Sequence, residues 1–413
     1  MVARKRRGAE HARAGRQESD RKLIRDITLR AVAMGLLAAL VGYAASFAIV
    51  LAGLDAMGAS PAQAATGLFF ATLGMGLCGL WLSFTTRTPA AVAWSTPGAA
   101  FLAGSGALPG GFGEAAGAMI ACAGLIVITG VVPLLGRAVA AIPRPVANAL
   151  LAGVLLKLCF APAFALGEIP LLVLPVLLAW LAGLRWNRLA AMPLAVLAFA
   201  LVLVFGVDME TAATPASGAL LPPLALVTPV FTWQALISVA LPLYLVTMAG
   251  QNIPGFAVLD LNGYRVARQP MLFRTGLVSL AIAPFGSVPV NMSAITAAIM
   301  AGEDAGPDPA RRYWAAMICG LAYVGLACMA GLVAALVSVA PAALITAVAG
   351  LALIPALVGS LSAAFSEAGQ VEGPALTFLI AASGMTLMGV SGAFWGVLAG
   401  TLVWIVKART GPR

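Results

Sequence analysis

Between residues 28 and 407 the chain is a succession of apolar runs separated by short turns rather than by extramembrane domains. At roughly 20 residues per spanning helix, this stretch accommodates about twelve to fourteen membrane spans, some of them short. One run breaks the pattern from inside. In Leu243–Leu259 an apolar stretch long enough to enter a bilayer is interrupted by Gln251, Asn252, Pro254 and Gly255. Backbone and amide groups in hydrocarbon must find partners, so such a break is tolerated only against protein or around a polar cavity. The segment is therefore a candidate for the place where a polar solute is held.

Two further elements are irregular, each about 60 residues into one half of the chain. Val92–Leu102 passes from an apolar, partly β-branched stretch through Ser95, Thr96, Pro97 and Gly98 into a short helix-forming run. Pro284–Ile299 does the same through Val290, Asn291 and Ser293. Interrupted segments at corresponding positions of two halves point to a transporter site built by inverted repeats. Seven segments per half, an odd number, give the second half the opposite orientation. Each half-helix start then exposes unpaired N–H groups and a positive dipole end, a seat for an anion at mid-membrane. The alternative is that Pro and Gly merely kink ordinary spans.

The predicted division is a basic tail at 1–27, a first repeat at 28–210, an outer linker at 211–229, a second repeat at 230–407 and a short tail at 408–413. The linker follows from the polar, Pro-rich run Asp208–Pro223.

Composition sharpens the class. The 413 residues are 62% hydrophobic and 9% charged, with a mean hydropathy of +1.01; a soluble domain carries roughly 25% charged residues. The net charge of +9 is concentrated at the ends, with ten of the 24 Lys and Arg in residues 1–30. That placement fits a cytoplasmic tail on anionic lipid, not nucleic-acid binding. With fourteen segments drawn from a cytoplasmic N-terminus, the loop arginines from Arg87 to Arg312 fall on the inner side. Asp55, Glu114, Glu168, Asp208 and Glu210 fall on the outer side, and both termini come out cytoplasmic. Lys157, inside or near the outer end of an apolar run, is the exception. It is a functional candidate as an intramembrane charge or a snorkelling interface residue.

The five cysteines are scattered without metal-ligand spacing, and the single histidine, His11, lies in the tail. No metal site or cofactor is expected, and no nucleophile elbow or phosphate loop suggests an enzyme or ATP-driven transport. Gly67, Gly74, Gly76 and Gly79, and the stripe Gly392, Gly396 and Gly400, read as close helix packing.

At these motifs the chain resembles the benzoate/proton symporter (BenE) family. The resemblance is carried by Ala93–Ala100, Gln251–Leu259 with Asn262–Tyr264, Ala294–Ile299, Pro307–Ala316, Ala382–Gly384 and Gly392–Gly396. It implies the all-α architecture of the uracil permease and sulfate-type anion transporters. That is about fourteen segments in two inverted repeats, a core domain moving against a gate domain, and short strands in segments three and ten. It also implies proton-coupled uptake of benzoate or a related aromatic carboxylate across the bacterial inner membrane, and it admits a homodimer. Another small anion or a nucleobase as solute, or a passive anion channel, are the alternatives.

Gln251 and Asn252 are the first candidates for solute binding, since their amides donate to a carboxylate without bringing charge into the membrane. Inter-helix hydrogen bonding is the competing role. Ser95, Thr96 and Gly98 form the first half-helix start, with Thr96 as its cap and Pro97 in the first turn; Asn291 and Ser293 do the same in the second. Capping alone also accounts for them. Tyr43, Phe47, Trp94 and Phe285 are candidates to stack on an aromatic solute or to pack the core. Lys157 and Glu114 are the candidates for a charge role. Glu114, Asp260, Glu367 and Glu372 are the acids nearest the spans, each drawn at an interface, so no proton carrier is assigned.

Overall fold

A computed structural model describes residues 27–206, 221–222, 224–367 and 369–410. The basic tail with His11, and Asp208 and Glu210 of the linker, lie outside the described residues. Fourteen segments follow one another. The first half comprises α1 (Leu29–Ala56), α2 (Pro61–Thr86), strand β1 (Val92–Trp94) with half-helix α3 (Thr96–Ser105), α4 (Phe112–Val131), α5 (Arg144–Glu168), α6 (Pro170–Trp186) and α7 (Arg188–Gly206). The second comprises α8 (Trp233–Leu261), α9 (Arg268–Ile282), strand β2 (Val290–Met292) with half-helix α10 (Ala294–Ala301), and α11 (Pro309–Ala327), which bends by 59° into Ala330–Val337. It ends with α12 (Ala342–Ala364), α13 (Glu372–Ser383) and α14 (Gly392–Thr410). Seven of the helices are long and apolar enough to cross a bilayer by themselves. The others are shorter, bent, or completed by a strand.

The packing repeats when every number is raised by seven. α2 lies on α11 and α9 on α4; α1 lies on α3 and α8 on α10; α6 pairs with α7 and α13 with α14. α5 and α12, each the other's counterpart, pack together. Two bodies result: a core of α1–α4 with α8–α11, and a gate of α5–α7 with α12–α14. We call the face bearing the start of α1 and the end of α14 the N-terminal side, and the opposite face the far side.

Lipid supplies no hydrophobic drive between helices, so contact depends on close backbone approach. At the α2–α11 crossing Gly76 meets Gly320: a Cβ on Gly76 would stand 2.7 Å from the Gly320 carbonyl oxygen, and one on Gly320 2.9 Å from that of Gly76. The α4–α9 crossing uses Gly130 against Phe273 and Gly276 against Val127. In the gate, the stripe Gly392, Gly396 and Gly400 of α14 rides over the carbonyls of Ile380, Thr377 and Gly373 on α13. The Thr377 hydroxyl donates across it to the Gly396 carbonyl at 2.9 Å.

The segment 243–259 is not broken. It runs through one helix that widens twice into π turns, at Leu236–Ala240 and Met248–Asn252. Each π turn stands two residues before a proline, Pro242 or Pro254. A proline has no N–H for the carbonyl four residues back and its ring crowds that carbonyl, so the ladder widens there.

Gly76→Val is expected to place its side chain against the α11 backbone and lower stability by about 1–3 kcal/mol. Gly325→Val, with open space where its Cβ would sit, should be far milder. Thermal unfolding of the two purified variants in detergent compares them directly.

Candidate functional site

The two strands pair antiparallel in the register Val92–Met292, Ala93–Asn291 and Trp94–Val290. The Ser95 N–H extends the ladder to the Pro289 carbonyl at 2.8 Å, and the Ser293 N–H to the Ala91 carbonyl at 2.9 Å. A two-stranded ribbon is thus sealed inside the core, every residue of β1 and β2 buried. α3 leaves one end of the ribbon and α10 the other. The starts are offset by four residue positions, about 13 Å at strand rise.

Ser95, not Thr96, caps α3. Its hydroxyl accepts from the Gly98 N–H at 3.1 Å and exchanges a 2.7 Å hydrogen bond with Thr247 of α8. Thr96 is the first helical residue and is half-buried, with Pro97 following it in the first turn. Ser293 caps α10, accepting from the Thr296 N–H at 3.5 Å. Gly98 has no room for a side chain: a Cβ would sit 2.7 Å from Leu243 Cδ1. At the far end of α10 the buried Arg312 donates to the carbonyls of Ala301 and Gly306, both at 2.7 Å. Its charge therefore stands at the negative end of the half-helix dipole.

α8 lies along the ribbon. Thr247 meets Ser95, Gly250 meets Pro97, and a Cβ on Gly255 would reach 2.8 Å from Met292 Cβ. Asn252, fully buried, accepts from the Met292 N–H at 3.0 Å and directs its amide nitrogen at Met248 Sδ, 3.4 Å away. Asn291 is buried too. Oriented so that both ends of its amide are satisfied, it accepts from the Ser95 N–H at 3.2 Å and donates to the Met292 carbonyl at 3.0 Å. Both asparagines therefore hold ribbon backbone. Gln251, one residue before Asn252, is 9% exposed and its amide has no partner among the described residues.

α1 flanks the other edge and kinks at Ala45–Ser46. The Ser46 hydroxyl donates to the Gly42 carbonyl at 3.2 Å and accepts from the Trp94 indole at 2.7 Å. Tyr43 stacks on Phe47 with centroids 5.7 Å apart and tilts against Trp94 at 5.3 Å. Three of the four expected aromatics thus form one buried cluster beside β1. Phe285 does not join them: it stacks on Phe70 at 3.7 Å, at the far-side end of α9. At this edge the Thr296 hydroxyl is buried without a hydrogen-bond partner among the described residues, while the Tyr43 hydroxyl lies by Thr72. A buried polar group left unpaired is costly, which makes Thr296 a candidate ligand contact.

The charge candidates lie elsewhere. Glu114, in the first turn of α4, accepts from the Gly110 N–H at 3.0 Å on the far side. Asp260 pairs with Arg268 at 2.5 Å and Glu372 with Lys407, while Glu367 is exposed in a loop. Lys157 is exposed near the far-side end of α5. None of these borders the ribbon.

Thr296, Thr247 and Ser46 were not singled out from sequence. Two signals were present: Thr247 stands four residues before Gln251, on the same helix face, and Ser46 sits between Tyr43 and Phe47.

The two sides of the ribbon are packed unequally. On the far side α3 packs on gate helix α5, and the far half of α1 (Phe47–Ala56) on α12. On the N-terminal side α10 packs on α1 and α8 within the core, and leaves Ile295 58% exposed. A cavity of about 460 Å³ opens there between the ends of α4 and α8 and the start of α9. Met248, Asn252, Ile253, Phe256 and Arg268 are among the residues around it. Core and gate thus pack more closely on the far side than on the N-terminal side.

With this geometry in view, a family model described as benzoate membrane transport protein (BenE) matches residues 25–406. The chain belongs to this family. A family relative named benzoate membrane transport protein, from Acinetobacter baylyi, is 31% identical over 94% of this chain and 97% of its own. The inner membrane protein YdcO of Escherichia coli K12 is 36% identical over 90% of this chain and 94% of its own. Among solved structures, the transmembrane domain of the cyanobacterial bicarbonate transporter BicA superposes with a TM-score of 0.60 at 17% identity, covering 92% of this chain and 98% of that domain. SLC26A9 superposes with a TM-score of 0.61 at 13% identity, over 92% of this chain and 66% of that one. Both share the inverted-repeat fold of core and gate, which this family member adopts as a multi-pass membrane transporter.

Asn252→Ala removes the acceptor for the Met292 N–H, and is expected to cost about 1–3 kcal/mol through the buried group left unpaired. Gln251→Ala should leave the unfolding temperature unchanged, because its amide holds no protein group. A melting comparison of the two variants in detergent checks the division of roles.

Proposed function

We propose that the protein takes up benzoate or a related aromatic carboxylate by proton-coupled alternating access. In this reading it sits in the bacterial inner membrane with both termini, and hence the N-terminal side, in the cytoplasm. The observation that carries the proposal is the ribbon between two helix starts, flanked by the unpartnered amide of Gln251 and the unpartnered hydroxyl of Thr296. A carboxylate suits such a seat: helix N–H groups and neutral donors satisfy its oxygens without a buried counter-charge. The caps take the N–H groups of Gly98 and Thr296, and the first-turn N–H groups of Ala294 and Ile295 remain for a ligand. The Tyr43–Phe47–Trp94 cluster supplies the apolar edge against which a ring packs. Family membership, and the relative named for benzoate, support the same solute.

In this reading Gln251, Thr296 and the start of α10 contact the solute. Ser95, Asn252, Asn291 and Ser293 hold the ribbon in shape, and Gly98 and Gly255 let α8 approach it. Loop-charge asymmetry supports the orientation: Arg137, Arg265, Arg268 and Arg311 all flank the N-terminal side.

Proteoliposomes test this with radiolabelled benzoate, with and without an inward proton gradient. Gradient-stimulated, saturable uptake is expected. Gln251→Ala and Thr296→Val should each raise KM about tenfold, the effect of losing one hydrogen bond to a charged group, with folding intact. Saturable uptake indifferent to the gradient would remove the proton coupling. Saturable uptake of a different anion would move the substrate class, and unsaturable current would favour a channel.

A further inference from the structure

We infer that the far-side seam between core and gate contains a reception site for carboxylate anions, with Lys157 as its charge. The inference rests on the reading of the chain as a carboxylate transporter. A narrow crevice of about 50 Å³ lies where the end of α3 meets α5, α13 and the start of α14. Phe101 and Ser105 form its core wall, and Lys157, Gly384 and Ser391 part of its gate wall. That volume admits a few waters or one carboxylate head, but no aromatic ring beside it.

Three observations make this a site rather than a packing gap. Lys157 forms no ion pair and no hydrogen bond among the described residues, although Asp55, Glu114 and Glu168 all belong to the same side. Its ammonium lies over Gly384, the left-handed residue (φ +64°) that ends α13; the space a Cβ would occupy there is taken by Nζ. In the same crevice the Ser391 hydroxyl is shielded from water and has no partner. An uncompensated cation lining the cleft is complementary to an oxyanion, with the buried Ser391 hydroxyl in the same wall as a second donor once the seam widens.

Position gives the site its role. Phe101 stands six residues along α3 from the Ser95 cap, so the crevice lies about one and two-thirds turns, roughly 9 Å, from the ribbon. Its two walls belong to the two bodies, and α3 packs against α5 on this side. Separation of α3 from α5 widens the crevice into the outward mouth. Phe101 then offers a face for the ring while Lys157 takes the carboxylate. The competing role for Lys157 is to neutralise the negative end of α13.

The experiment uses the full-length protein in proteoliposomes of known orientation. KM for benzoate is measured from each side at low and high salt, for wild type, Lys157→Met, Lys157→Arg and Ser391→Ala. Lys157→Met is expected to raise the far-side KM about tenfold at low salt, with the difference shrinking at high salt; the N-terminal-side KM should not move. Lys157→Arg should stay within about twofold of wild type, since the charge is kept. A fall in unfolding temperature with equal KM changes from both sides, or no KM change at all, would overturn the proposal in favour of the helix-end role. A second readout is independent of transport: benzoate should slow modification of Lys157 by an amine-reactive reagent, scored on its peptide by mass spectrometry. Protection without uptake would keep the site and reject the transport reading; uptake without protection would reject the site alone.

Discussion

Everything at the centre of this molecule depends on satisfying backbone hydrogen bonds where no water is available. Two stretches of chain leave helical geometry in the middle of a membrane domain, and each alone would leave N–H and C=O groups unpaired in a low-dielectric interior. They solve the problem for one another by pairing as β1 and β2. What the ladder leaves over is taken by side chains: Asn252 receives the Met292 N–H, Asn291 donates to the Met292 carbonyl, and the Ser95 and Ser293 hydroxyls receive the first-turn N–H groups of Gly98 and Thr296. Polar residues that look from sequence like a ligand shell are therefore divided into two classes. Most are consumed in making the irregular backbone tolerable, and Gln251 and Thr296 are the ones left over.

That division explains which parts of the site were legible in the sequence. The two irregular segments stood out because Pro, Gly and small polar residues interrupt apolar runs at corresponding positions, and the structure has strands and half-helices there. The family resemblance supplied their pairing into one architecture. The register was not legible, because it joins residues nearly 200 positions apart, with no local pattern to set it. Thr96 was mistaken for the cap because Ser95 and Thr96 are both good caps and only the backbone decides between them: Ser95 has the non-helical dihedrals, at φ −74° and ψ 88°. Phe285 was misplaced for a related reason. Gly286 turns the chain with a left-handed conformation (φ +71°), which points Phe285 at Phe70 rather than toward β2. The polar run at 251–255 promised a broken helix, whereas π turns absorb Pro254 without breaking the span.

The repeats are alike in connectivity and unlike in contact. Swapping each helix for its counterpart reproduces the main crossings of the core and the pairings of α6 with α7 and α13 with α14. It fails for α5, which packs broadly on α13 while α12 touches α6 only slightly, and at the seam, where the far-side contact of α3 with α5 has no equal between α10 and α12. In the alternating-access reading proposed above, interchanging the roles of the two repeats would exchange the α3–α5 contact for one between α10 and α12. The glycine crossings inside the core, Gly76 on Gly320 and Gly130 with Gly276, hold its helices by close backbone approach, so in that reading the core would move as one piece.

The ribbon also imposes an order on biogenesis. β1 leaves the ribosome long before β2, with roughly 200 residues of chain still to follow. During that interval residues 92–94 have entered the membrane domain without the partner that satisfies them. The first seven segments cannot reach their final arrangement alone, however apolar they are, and the solute seat comes into being only when the tenth segment arrives. Loop closure over such a separation is slow, so the half-made protein must hold its third segment near water, against another helix, or inside the insertion machinery until then. The pairing that makes the site possible in the finished transporter thus waits on a segment from the second half of its synthesis.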